Sequence, residues 1–322
     1  MHVTNQTSRV STKNRLGTSL RQILSSWQLY VMALPTAALL FMFSYMPMFG
    51  TLLAFKRFRI KDGILGSPWM NPVLRNFEIL FRPNSAAVNA IKNTLLLNLM
   101  FITAGTLFAL ALALMFNEIR HKQYKKLTQS LTFLPYFIST VVVGIFAAGL
   151  LGYDNGVINS MLSSMGFERI AFYMEPGYWP WILLVVNIWK GAGYSSVVYL
   201  ATIAGIDSSY YEAAQIDGAS KWNQVRYISL PLLRPTVIIL TLLAIGKIMN
   251  ADFGLFFNVT GDMPAIYSST DVIDTFIYRT LRKTGDIGIS TAVGLFQSAV
   301  SFVLVLLSNW AARRIDDSAA LF

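Results

Sequence analysis

Chemistry in this chain has few places to reside. Cysteine is absent, which excludes disulfides, thiolate zinc sites and thiol nucleophiles. The two histidines, His2 and His121, stand apart in a polar tail and a short loop without companions to share a metal. Gly246-Lys247 is followed by Ile248 and lacks the glycine of a phosphate-binding loop, so no nucleotide cradle is spelled out, nor is a nucleophile elbow or a metalloprotease helix. What remains is a small set of polar residues inside apolar runs. Placing charge in hydrocarbon is costly and marks either a lined cavity or a local partner. Lys190 falls ~18 Å along one apolar run from Tyr178, and Lys247 ~17 Å along another from Thr236, at 1.5 Å per helical residue. Asn187, Lys190 and Tyr194 share a helical face by their spacing of three and four; Lys247 and Asn250 share another, which Asp252 does not join. With Trp189, this set of amides, amines and aromatic faces suits a hydroxyl-rich solute. Equally, the groups satisfy one another between spans, or the lysines snorkel to an interface.

The elements that position them are membrane helices. Among 322 residues 54% are hydrophobic and 13% charged, and the mean hydropathy is +0.51, too oily for a soluble domain. Runs of about 20 apolar residues match a hydrocarbon layer of ~30 Å. They place six transmembrane helices near 27–55, 93–116, 131–151, 178–204, 236–257 and 289–311. A polar tail, 1–26, carrying Arg9, Lys13, Arg15 and Arg21 precedes them, and 312–322 follows. The first run is too long for a signal peptide core and reads as a retained span bent by Pro35 and Pro47. Six spans put both termini on one side. Lysines and arginines number thirteen on that side against eleven on the other, and the two shortest basic clusters are on the terminal side, which places the termini in the cytoplasm. The net charge of +10 is spread among loops beside spans, which favours a membrane surface over nucleic acid. One outer loop, 56–92, is unusually basic: Lys56, Arg57, Arg59 and Lys61 lie close together, suited to an acidic sugar, its carrier or lipid headgroups.

Residues 205–235 are the long water-soluble interruption in the second half. Ser209 and Glu212 have capping-box spacing, Ala213 and Ala214 favour helix, Gly218 permits a turn, and Pro231 closes the segment. The expected form is helix, turn, helix, with a knob of small residues at the tip. The order Glu-Ala-Ala, three residues, Gly, nine residues, Ile-x-Leu-Pro over Glu212 to Pro231 resembles the signature loop (EAA motif) of permease subunits in binding-protein-dependent ABC importers. Residues 258–297, including Asp271 to Phe276 and Ala292 to Ser298, look like the oligosaccharide and polysaccharide branch, with its maltose-type and alginate- or pectin-oligosaccharide-type permeases.

The resemblance implies an all-α integral membrane protein with the type I ABC importer permease fold, multi-pass in a bacterial cytoplasmic membrane. It implies a heterodimer with a second related permease, two ATP-binding subunits that use ATP and magnesium, an extracytoplasmic solute-binding protein and an oligosaccharide cargo. On it, Glu212, Ala213, Ala214, Asp217, Gly218 and Ala219 form the coupling loop, and the chain itself is not an enzyme and binds no cofactor. A gradient-driven secondary transporter using Lys190, Lys247 and Asp252 is the principal rival, weakened by the lack of a visible inverted repeat. An intramembrane enzyme would need a carboxylate or metal cluster that the spans do not offer.

Overall fold

The computed structural model describes residues 26–315, so the basic N-terminal cluster and most of the C-terminal tail lie outside the described residues. Contacts divide the chain into residues 1–52 and 53–322, each treated by itself. In the first unit, helix α1 (Trp27–Leu40) contains Pro35 and passes into a π-turn at Phe41–Tyr45 and a 3₁₀ stretch that opens at Met46. A proline removes one backbone donor and crowds the preceding turn, so a change of helical pitch beyond it is the expected response.

The second unit is helical. Its long elements are α2 (Ala86–Glu118), α3 (Lys122–Phe133), α4 (Thr140–Leu151), α5 (Trp179–Ala204), α6 (Ser208–Ile216), α7 (Leu230–Gly246), α8 (Phe253–Thr260), α9 (Ile273–Arg282) and α10 (Ile287–Ile315). Including Trp27–Phe55, five helices are long and apolar enough to cross a membrane, and six if the bent pair around α3 and α4 counts as one. That pair, Lys122–Phe137 and Thr140–Leu151, turns by 95° at Ile138 and Ser139, where Ser139 caps α4. His121 is exposed, accepts from Tyr124 N at 3.4 Å and caps α3.

Helix α2 packs along α5, and α7 along α10. Close approach comes from glycine at two crossings. A Cβ on Gly193 of α5 would lie 2.2 Å from the Thr132 carbonyl oxygen, and one on Gly144 of α4 would lie 2.4 Å from that of Asn258 on α8. Backbone-to-backbone contact of this kind is how helices associate where lipid removes the hydrophobic drive. Around α4, α5 and α8, Phe101, Trp179, Leu183 and Phe256 fill the largest core, with Trp179 Nε1 donating to Phe172 O at 2.7 Å.

Boundaries differ from expectation at the second and fifth spans. Helix α2 starts at Ala86, capped by Ser85, not at 93, so the outer loop ends before its first turns. The fifth span does not run from 236 to 257. It begins at Lys221, continues unbroken through Pro231 and Pro235, and stops at Gly246. Pro231 does not end the preceding helix, because a π-turn at Val225–Ser229 widens the coil immediately before it and makes room for the ring. Beyond Gly246 the chain is irregular to Asp252 before α8 begins.

Candidate functional site

The signature loop is built as one stiff unit. Its first helix, α6, is capped by Asp207, whose Oδ1 accepts from Ser209 N at 2.9 Å; Ser209 lies inside the helix and the anticipated capping box with Glu212 is not formed. Asp207 takes the cap because its extended backbone aims a carboxylate at the free N–H groups, and those donors hold it below the ordinary aspartate value. At the other end, Ala219 N bonds to Ala214 O at 2.8 Å and Gly218 N to Gln215 O at 3.1 Å, a Schellman closure. It requires a left-handed residue, and Gly218 supplies it at φ +76°. Ser220 then caps the next helix through Asn223 N, and Tyr211 Oη meets Ser229 Oγ at 2.9 Å, bracing α6 against the lead-in to α7. Glu212, Ala213, Asp217 and Gly218 face outward, Ala214 and Ala219 are half-buried, and no residue of α6 is buried. Ile216 at the tip is 87% exposed. Lys221 reaches Glu118 at 3.6 Å, so this loop and the end of α2 share one end of the bundle.

The polar residues singled out within spans do not line one cavity. Lys190 donates to Tyr136 O at 3.0 Å and Ile138 O at 2.8 Å, the last turn of the first arm and the break that follows it. Tyr194, one turn on, stacks on Tyr136 with centroids 4.2 Å apart and meets Phe133 at 5.6 Å, so the shared face of Lys190 and Tyr194 packs on the segment from Phe133 to Ile138. Tyr194 also borders a cavity of about 270 Å³ between α2, α5 and α7. Asn187 is half-buried and Trp189 exposed. Lys247 and Asn250 do not share a helical face, because the helix has ended before them. Lys247 borders a small cleft between α7 and α10, whereas Asn250 Oδ1 accepts from Gln297 at 3.2 Å. Asp252 is the cap of α8, accepting from Leu255 N at 3.0 Å.

Sequence reasoning passed over the residues that hold the irregular stretch after α7. Unpaired carbonyls at membrane depth cost several kcal/mol each, and amide side chains answer them here. Asn98 donates to Ile248 O at 2.7 Å and Asn250 O at 3.1 Å, Gln297 donates to Met249 O at 2.8 Å, and the Asp274 carboxylate accepts from Ala251 N at 2.9 Å. Further along, Asn93 donates to Ser268 O and Asp271 O, and Asn89 to Tyr267 O and Ser268 O. Asn89, Asn93 and Asn98 stand on α2 at intervals of four and five, a stripe of amides on an otherwise apolar helix that was visible in the sequence. Beyond it, Arg279 pairs with Asp271 and with Asp262 (3.4 Å) and lies 3.9 Å over the Tyr267 ring, while Lys283 reaches Asp262 at 2.5 Å. Burial alone would raise the Asp262 carboxyl; Lys283, Tyr267 and Arg279 outweigh it and hold the group below its ordinary value.

Residues 102–317 match the family described as the binding-protein-dependent transport system inner membrane component. The chain belongs to this family. It is a multi-pass transport permease, and the match speaks against the gradient-driven alternative. Among relatives, the polygalacturonan/rhamnogalacturonan transport system permease protein YteP of Bacillus subtilis (strain 168) is 34% identical over 301 residues, 92% of this chain and 91% of that one. Among solved structures, a bacterial ABC transporter involved in the import of the acidic polysaccharide alginate has a chain 37% identical, with TM-score 0.84 over 93% of this permease and 99% of that chain. The bacterial alginate transporter in complex with an alginate pentasaccharide-bound periplasmic protein gives 0.81 at the same identity, over 92% and 97%. The fold is therefore that of a type I ABC importer permease.

Proposed function

We propose that this permease is one half of a heterodimeric channel for acidic oligosaccharides, driven by two separate ATP-binding subunits that bind ATP and magnesium and fed by an extracytoplasmic solute-binding protein. The termini and the signature loop then face the cytoplasm, and this chain holds no cofactor. The observation that carries the reading is the knob at Glu212 to Ala219: closed at both ends by hydrogen bonds, yet presenting an uncovered apolar Ile216 to the outside. A rigid convex tip with an exposed apolar residue and no cover from its own described chain fits a socket on another subunit. The acidic cargo rests on the relatives whose names state such polymers.

In this reading, Tyr194, Lys190, Asn187 and Trp189 border the solute path on α5, and Lys247, Asn250 and Asp252 act near the end of α7. Lys190 spends two of its three ammonium donors on the broken span and keeps one for a solute. The decisive experiment is Gly218→Asp in the assembled importer reconstituted with its binding protein. Bulk and charge at the tip are expected to abolish import and uncouple ATP hydrolysis while insertion proceeds. A Cβ there meets nothing within 4 Å, but φ is +76°, so Gly218→Asn, which tolerates the left-handed region, is the control for backbone strain and should retain more import than Gly218→Asp. Import at the normal rate overturns the coupling assignment.

A further inference from the structure

The outer loop holds more positive charge than orientation accounts for. Outer loops are ordinarily poor in lysine and arginine, yet residues 56–82 and the start of α10 enclose a cleft of about 850 Å³ lined by Arg57, Arg59, Arg75 and Arg82 together with Trp69 and Asn71. That volume falls within the roughly 300–1,000 Å³ of sites that enclose small ligands. Among the described residues, Arg57, Arg75 and Arg82 have no carboxylate partner, and Arg59 has only a loose one, Asp62 at 4.0 Å. The two acids on the cleft wall, Glu78 and Asp286, do not balance four guanidinium groups, and Asp286 is occupied in capping Ile289 N at 2.9 Å.

The cleft is a built feature. Lys56, 5% exposed, turns inward, donating to Ile64 O at 3.1 Å and Leu65 O at 2.6 Å and lying 5.2 Å from the Trp69 ring centroid. Arg57 N donates to Pro68 O and Met70 N to Phe55 O, joining the two arms of the loop as a short antiparallel bridge. Asn76 is buried and donates to Ala54 O at 2.9 Å, and Gly288 lies so close that a Cβ on it would be 2.7 Å from Asn76 Nδ2, which fastens the loop to the first turn of α10. The basic residues of the loop thus divide into one buried lysine, Lys56, that holds the loop, an exposed Lys61 outside the cleft lining, and four exposed arginines that face solvent on a fixed frame. With 33 residues, α2 is ~50 Å long against a hydrocarbon layer of ~30 Å, so its first turn and the loop before it stand outside the lipid. They do so at the end of the bundle away from the signature loop, which meets the other end of α2.

We propose that this arginine cleft binds the carboxylates of an anionic oligosaccharide as it leaves the solute-binding protein, an inference that rests on the import of acidic oligosaccharides proposed above. Guanidinium forks suit carboxylates in pairs, and Trp69, 60% exposed beside them, offers a flat face to sugar C–H groups. Anionic lipid headgroups share the carboxylate's charge, and the choice of disc lipid separates the two sources. The test replaces Arg57, Arg59, Arg75 and Arg82 by glutamine in the assembled importer, held in discs of neutral phosphatidylcholine, with the four Arg→Lys changes as a charge-preserving companion.

Trigalacturonate is expected to bind the unaltered importer, to bind about tenfold more weakly to the glutamine variant and within about threefold of normal to the lysine variant. A neutral trisaccharide should show no such difference. Unchanged trigalacturonate affinity and unchanged KM for its import in the glutamine variant overturn the cleft while leaving acidic import standing. An effect seen only in discs containing phosphatidylglycerol assigns the arginines to lipid and also overturns it. An unaltered importer that neither imports nor binds trigalacturonate removes the acidic-cargo reading, and the cleft with it.

Discussion

Replacing Lys190 by methionine tests whether the lysine is a strut across the broken third span. Methionine keeps the apolar stem and removes the ammonium, leaving the Tyr136 and Ile138 carbonyls without their donor. Hydrogen bonds to charged groups contribute roughly 1.5–3 kcal/mol each, and the site is half-exposed, so water recovers part of that. The combined loss is about 2–3 kcal/mol. At roughly 2–4 °C per kcal/mol, the apparent Tm of the purified protein should fall by about 4–12 °C, with Lys190→Arg recovering most of it. Thermal unfolding in detergent, followed by circular dichroism, reads the shift. A change within about 1 °C would refute the strut. A rise in KM for the cargo alongside the lower Tm would add a solute contact through the third donor; an unaltered KM would confine Lys190 to holding the break.

Gly193→Ala should destabilise the bundle by roughly 1–3 kcal/mol, since the new methyl meets the Thr132 backbone, whereas Gly191→Ala, with nothing within 4 Å, should be close to neutral; equal Tm values for the two would contradict the crossing. Asn98→Leu strands two carbonyls after α7 and should cost about 2 kcal/mol, read as a lower denaturation midpoint. For Asp262, whose folded value is depressed, the stabilisation is fully present above the ordinary aspartate range and lost as pH falls through the lower folded value. Asp262→Asn should therefore be less stable than the unaltered protein at neutral pH, with the gap closing from about pH 4 downward. A gap that persists at lower pH would detach the group from Lys283 and Arg279.

The signature loop was legible because its residue types report backbone requirements directly. Gly218 was needed for a left-handed turn, and the small residues before it leave a smooth convex surface. Its cap was misread by two positions because Asp207 and Ser209 are both competent caps, and spacing to Glu212 favoured the wrong one. Pro231 was misread as a stop because a proline's cost depends on the turn that precedes it, and the π-turn at Val225–Ser229 has no sequence marker. The break after Gly246 was hidden for a different reason. Phe253, Leu255, Phe256 and Phe257 carry the apolar pattern straight across it, and the amide donors that make the break tolerable come from Asn98, about 150 residues earlier, and Gln297. A rule that reads every polar residue in a span as solute-facing fails here on the same ground: Lys190 serves backbone carbonyls at the break in the third span.

That division of labour bears on how motion could cross the molecule. Lys221–Gly246 is a single 26-residue rod, ~39 Å long, fixed to α6 at one end by the Tyr211–Ser229 hydrogen bond and released at the other into the irregular stretch. A displacement imposed at Ile216 would enter this rod beside the π-turn, where the coil is widest and easiest to rewind. It would leave at Met249 and Asn250, where Asn98 and Gln297 hold the backbone by neutral amide bonds. Neutral donors can shift between neighbouring carbonyls without exposing a charge to lipid, as Asn98 already does by serving two. A salt bridge at that depth would have to break outright and strand both ions. The ionic locks, Arg279 with Asp271 and Lys283 with Asp262, are kept in the segment between the last two spans, the first pair largely buried and the second with its lysine exposed. The joint after α7 is therefore held by the Asn98 and Gln297 amides together with the Asp274 carboxylate, which accepts from Ala251 N and from Gln297. Asn98→Asp, which turns the donor into a carboxylate facing two carbonyl oxygens, should lower the denaturation midpoint further than Asn98→Leu does.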